Sequence, residues 1–186
     1  MKRFFDVMLS LLAFVILFFI FVFIGMWVSL TSKGTVLYWS QRVGRNNQLF
    51  NMPKFRTMRT DTPAVATHLL QDPDQWLTPV GSFLRKSSLD ELPQLWSIFK
   101  GDMSFVGPRP ALYNQNDLIE LRTQAGVHTL QPGLTGWAQI NGRDELPIPV
   151  KVKFDMEYMQ RKSFLFDLYI LWMTFSKVIH RDGVTH

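Results

Sequence analysis

From residue 7 to residue 30 the chain carries no charged side chain, and only Ser10, Gly25 and Ser29 interrupt the apolar run. A membrane helix needs roughly 20 predominantly apolar residues, so this stretch is long enough to cross or enter a bilayer. A secretory signal has an apolar core of about 7–15 residues followed by a small-residue cleavage site, and neither fits here. The run therefore divides the 186-residue chain. Residues 1–32 read as a membrane helix, and residues 33–186 as one domain of ordinary size.

Lys2 and Arg3 precede the run, and Lys33, Arg42 and Arg45 follow it. Positive charge marks the cytoplasmic end of a membrane helix, and here both ends carry it. A spanning helix and a re-entrant one that leaves by the leaflet it entered are both consistent with that. A re-entrant helix needs a break, and the centre, LFFIFVFIG, contains no proline.

The formal charge of +5 calls for an acidic partner: nucleic acid, a phosphorylated small molecule or an anionic membrane face. The 16 Phe and 6 Trp favour the membrane, where ring side chains gather at the interface. With no cysteine, a disulfide framework, a thiolate metal site and a thiolate nucleophile are all excluded.

Past the run, residues 35–40 and 48–52 flank a Gly- and Asn-containing turn and predict a short β-hairpin. Lys54-Phe-Arg-Thr-Met58 continues with alternating cation and apolar residue, which on a strand puts Lys54 and Arg56 on one face. A solvated edge strand is the plainer meaning of that pattern. Residues 59–79 read as a polar loop with at most a helical turn near residues 64–70. Residues 111–127 and 150–162 read as amphipathic or charged helices. Residues 164–179 form an apolar helix marked by a narrow polar stripe of Asp167, Thr174, Lys177 and Arg181. So broad an apolar face belongs in a bilayer interface or a core. The expected fold class is mostly α with a small β-hairpin (α+β), an N-terminal membrane-inserted helix and interfacial amphipathic helices.

The chemistry concentrates in RKSSLDELPQLWSIFKGDMSFVGPRP, residues 85–110. Asp90 and Glu91 stand between Arg85 and Lys86 on one side and Lys100 and Arg109 on the other. Adjacent carboxylates ringed by cations suit a phosphate-bearing substrate with a divalent metal. A capping box, Ser88 to Glu91, is the structural alternative. Pro93 opposes it, because proline is tolerated at a first helical position and not beyond the first turn. The glycine-rich stretch PGLTGWAQINGR, residues 132–143, offers backbone N–H groups to a phosphate beside Thr135, Asn141 and Arg143. It has neither P-loop nor dinucleotide glycine spacing.

KFRTM, SLDELPQLW, KGDMSFVGPRP and PGLTGWAQINGR, in this order behind an apolar helix, resemble the bacterial sugar transferase family, the monotopic phosphoglycosyl transferases. The resemblance covers nearly the whole chain. It implies transfer of a sugar phosphate from a UDP-sugar to polyprenyl (undecaprenyl) phosphate with release of UMP, the first membrane step of bacterial glycan (O-antigen, capsule, exopolysaccharide or glycoprotein) synthesis. It implies Asp90 as a nucleophile that holds the phosphosugar covalently. Glu91, with Asp90 beside it, would hold Mg²⁺. Lys54, Arg56, Arg85, Arg109 and Arg143 would contact phosphates, with Asp155, Thr135 and Asn141 in support. A carboxylate is ionised near neutral pH and can form an acyl phosphate, so the chemistry is sound. The family's membrane helix is usually broken by Ser-Pro to make it re-entrant, and Phe18-Phe19 stands there in this chain; with positive charge on both flanks, the re-entrant path is still the one expected. The resemblance also implies a catalytic domain on the cytoplasmic face of the bacterial inner membrane, with the lipid bilayer as a partner and no nucleic acid.

Two other classes of function stay open on residues alone. One is a membrane-anchored module that binds anionic lipid or nucleic acid without turnover. The other is direct one-step transfer with Asp90 as a metal ligand. The sugar, the glycan pathway and the oligomeric state have no sequence signature.

Overall fold

The computed structural model describes residues 1–63, 72–142 and 146–180. The fold is mostly helical with a small antiparallel hairpin, as expected, together with a second, parallel strand pair. The turn near residues 64–70 and the positions Arg143 and Arg181 lie outside the described residues.

Helix α1 (Lys2–Thr31) is continuous through Phe18-Phe19, about 45 Å of helix at 1.5 Å per residue. It is docked along its length. Asp6, Ser10, Ile24 and Val28 are buried, and Leu9, Ala13, Leu17 and Phe21 pack on the cores below them. These residues recur every three or four positions and form one stripe. The remaining faces are apolar and uncovered: Val15 and Ile16 are two-thirds exposed and Phe19 is 80 % exposed.

Polar groups tie down the first turns of α1. Lys2 Nζ donates to Asp167 Oδ2 (2.7 Å), to the Tyr158 hydroxyl and to the Val106 carbonyl. Arg3 donates to the carbonyls of Ile98 and Phe99. Asp6 accepts from the Phe105 N–H and the Ser104 hydroxyl, both at 3.1 Å. The two cations read as a membrane flank are thus engaged within the protein.

The hairpin pairs β1 (Leu37–Val43) with β2 (Leu49–Phe55), Leu37 opposite Phe55 and Val43 opposite Leu49. Asn46 and Asn47 take the positive φ angles, 55° and 60°, that close the turn between them. After the short helix α2 (Gly81–Lys86) comes one 3₁₀ turn, Leu89–Glu91, and then α3 (Gln94–Lys100). Pro93 is the N-cap of α3, and Gly101, at φ 104°, ends it.

Strand β3 (Ser104–Val106) runs parallel to β4 (Gly133–Thr135). The expected helix over residues 111–127 is shorter, α4 (Asn116–Gln124). The glycine-rich stretch, expected as an open phosphate loop, is instead β4 followed by α5 (Trp137–Ile140). Helices α6 (Ile148–Arg161) and α7 (Phe164–His180) complete the fold. In α7 the polar stripe turns inward. Asp167 binds Lys2 and Tyr158, Thr174 meets Thr135 at 2.7 Å, and Lys177 donates to the Ile140 carbonyl. Leu165, Tyr169, Trp172 and Phe175 face outward.

Candidate active site

The 3₁₀ turn after α2 is the centre of the site. Ser88, at φ 56°, occupies the left-handed region that side chains other than Gly rarely adopt, and this bends the chain so that Asp90 and Glu91 follow immediately. No side-chain cap forms. The Glu91 carboxylate does not reach back to Ser88; it accepts from Lys54 Nζ at 2.8 Å and from Arg109 Nη2 at 3.1 Å, both on Oε1. The capping-box alternative therefore gives way to an ion-pair cluster.

Each cation arrives from a different element. Lys54 stands on β2 between Pro53 and Phe55, which are buried on the opposite strand face. Arg85, on the last turn of α2, donates through Nε to the Thr57 hydroxyl at 3.1 Å. Arg109 lies in the Gly107-Pro-Arg-Pro110 turn after β3, whose last three carbonyls are held. The Pro108 carbonyl accepts from the Gly133 N–H, that of Arg109 from Arg122 Nη1 (2.7 Å), and that of Pro110 from Arg42. Gly107, Gly133 and Gly136 let this turn and β4 approach backbone to backbone, and a Cβ on any of them would run into main-chain atoms.

The two carboxylates differ. Burial alone would raise the pKa of Glu91, but Lys54 and Arg109 outweigh it and hold the group far below the usual carboxylate range. Among the described residues the Asp90 carboxylate has no hydrogen-bond or ion-pair partner, although it is only 7 % exposed. Burial raises its pKa, assisted by the Glu91 charge and opposed by Lys54, Arg85 and Arg109. One carboxylate is spent on cations; its neighbour is desolvated and uncommitted.

Asp155 is 1 % exposed and binds Arg122 through both Nε and Nη2, at 2.9 and 2.7 Å. Since Arg122 also holds the Arg109 carbonyl, Asp155 sets the turn that presents Arg109 to Glu91. Arg122 was not among the residues expected from the sequence. A buried arginine in a charged helix has no signature in the sequence, and neither has Thr57.

The remaining expected residues go elsewhere. Arg56 follows the end of β2 and donates to the carbonyl and hydroxyl of Thr35, away from the carboxylates. The Thr135 hydroxyl faces Thr174 on α7, and Asn141 donates to the Trp137 carbonyl at the end of α5. Lys100 pairs with Asp102 at the far end of α3.

Among the described residues no cluster of three or more His, Cys, Asp or Glu forms a metal cage. The Asp90–Glu91 pair, with Glu91 Oε1 already taken, suits an ion that arrives on substrate phosphates. That is the habit of Mg²⁺, which keeps its waters and takes one or two protein carboxylates.

The sequence matches the family model for bacterial sugar transferases over residues 1–181. The chain belongs to the bacterial sugar transferase family. It is 39 % identical to the exopolysaccharide production protein ExoY of Sinorhizobium fredii, over 98 % of this chain and 87 % of that protein. It is 40 % identical to EpsL of Bacillus subtilis, described as an uncharacterized sugar transferase, over 99 % of this chain and 90 % of that one. It is 36 % identical to the UDP-glucose:undecaprenyl-phosphate glucose-1-phosphate transferase of Escherichia coli, over 95 % of this chain and 40 % of that protein. This family member thus spans two-fifths of the length of the E. coli transferase.

Proposed function

We propose that this chain transfers a sugar 1-phosphate from a UDP-sugar to polyprenyl phosphate and releases UMP, through a phosphosugar carried on Asp90. The observation that carries the reading is the division of labour between Asp90 and Glu91. Both substrates are phosphates, which the cluster of Lys54, Arg85 and Arg109 suits. In the first step an Asp90 oxygen attacks the sugar-bearing phosphorus. The anhydride bond breaks, and UMP leaves with the bridging oxygen. In the second step a phosphate oxygen of the lipid attacks the same phosphorus, the acyl–phosphate bond breaks and the carboxylate is restored. A carboxylate nucleophile splits one difficult transfer into two easier ones.

Glu91 keeps Lys54 and Arg109 in place, so that their charge meets the phosphoryl oxygens as negative charge develops there. When bound, Mg²⁺ held by Glu91 and Asp90 supplies further neutralisation of the diphosphate. Asp155 and Arg122 hold the turn that carries Arg109. The exposed apolar faces of α1 and α7 support immersion of this side of the molecule in the inner membrane, with the site on the cytoplasmic face where UDP-sugars are found.

The test is UMP release from a panel of UDP-sugars with Mg²⁺ and no lipid. A burst of about one UMP per enzyme is expected. Turnover that needs the lipid and shows no burst would replace the two-step route by direct transfer. Silence in both conditions, with folded protein, would leave a binding module.

A further inference from the structure

An apolar cavity of about 420 Å³ lies between α1, the hairpin and α3. Its walls include Phe14, Phe21 and Gly25 of α1, Phe55 of β2, and Pro93 and Trp96 at the start of α3, and no lining residue carries a charge or a hydroxyl. The volume falls within the ~300–1,000 Å³ usual for ligand pockets. An apolar space of this size beside a packed core suits an apolar occupant.

We propose that this groove holds the part of the acceptor's isoprenoid chain next to its phosphate, an inference that rests on the transfer reaction above. Continuity with the site selects this occupant over an ordinary acyl chain. Pro93 is two residues from Glu91, and Pro53 and Phe55, both lining the groove, flank Lys54. Strand alternation puts Lys54 on the carboxylate side of β2 and its two neighbours on the groove side. A chain lying in the groove and passing Pro93 delivers its phosphate to the cations around Asp90. Phe14, Phe21 and Gly25 bring α1, whose other faces are apolar and uncovered, into the groove wall. Trp39 and Trp96, both half exposed, stand on its walls where indole rings favour a membrane interface.

Gly25 supplies the test. A Cβ there would meet only Val36, at an ordinary 3.9 Å, so Gly25→Ala is tolerated while Gly25→Leu projects a side chain toward the groove. Both changes favour helix. In mixed micelles, Gly25→Leu is expected to keep the lipid-independent UMP burst, which involves no isoprenoid. Its KM for undecaprenyl phosphate should rise about tenfold, the effect of losing burial of some two methylenes. Gly25→Ala should match the unsubstituted protein. An unchanged undecaprenyl phosphate KM in Gly25→Leu, or an equal rise in Gly25→Ala, would overturn the groove.

Photolabelling of the unsubstituted protein reads occupancy without activity. A diazirine in the first isoprene units of a polyprenyl phosphate should label residues 14–25 or 93–96, and excess undecaprenyl phosphate should suppress the label. Label elsewhere, or competition by phosphatidylglycerol equal to that by undecaprenyl phosphate, would contradict the proposal. Absence of UMP release from every UDP-sugar would instead count against the reaction itself.

Discussion

At the scale of single residues, two neighbouring carboxylates on one 3₁₀ turn meet opposite electrostatic conditions. The lowered pKa of Glu91 means that its ion pairs stabilise the fold above the ordinary carboxylate range, and this stability is lost as pH falls through it. Glu91→Gln should therefore cost about 2–3 kcal/mol at neutral pH, as for a charged hydrogen-bonded group, and flatten the acid side of a denaturation series. Asp90 has the opposite sign. Its raised pKa favours the neutral form in the fold, so Asp90→Asn should leave Tm unchanged or higher while abolishing turnover. Because attack requires the ionised form, the acid limb of the first-step rate should lie above the ordinary Asp value of about 3.9. The buried Asp155–Arg122 pair works through the backbone of Arg109. Asp155→Asn should cost about 3–5 kcal/mol by leaving Arg122 buried and unpaired, and residual activity should show a raised KM for the UDP-sugar.

Much of this cluster was legible in the sequence. Lys54, Arg85, Asp90, Glu91 and Arg109 meet as their motifs implied. Arg56 does not, because β2 ends at Phe55 and strand alternation no longer applies to it. Arg122 and Thr57 were invisible because they act on other protein groups, and their roles exist only once α4 and the segment after β2 are packed.

At the scale of elements, the hairpin and the long helices follow from alternation and apolar periodicity. The parallel pair β3–β4 was missed because each strand is three residues long, too short for any period. Its glycines, read as a phosphate cradle, instead permit close backbone packing under the Arg109 turn. Gly133→Ala should then cost about 1–3 kcal/mol or more as an overpacking change, measurable by urea denaturation. A loss confined to substrate affinity, with stability intact, would restore the cradle reading.

For the whole molecule, α1 ties the fold together and also exposes its apolar surface. Its first turns bind β3, α3, α6 and α7 through Lys2, Arg3 and Asp6, and its last turns bury Ile24 and Val28 against Phe55 and Leu84. Both ends of the helix therefore rest on the same body. The uncovered faces of α1 and α7 are aromatic and aliphatic, so membrane attachment should resist 1 M salt, at which charge attraction is screened within about 3 Å, and yield to detergent. Release by salt alone would make the attachment electrostatic.

The central claim is that Asp90, and not its paired neighbour, carries the phosphosugar. The most direct measurement is the intact mass of the protein after incubation with Mg²⁺ and a UDP-sugar that supports UMP release, with no lipid present. The account predicts an added sugar phosphate on the peptide containing Asp90, lost in Asp90→Asn and discharged by polyprenyl phosphate. Full turnover with no adduct, or an adduct that persists in Asp90→Asn, would contradict it.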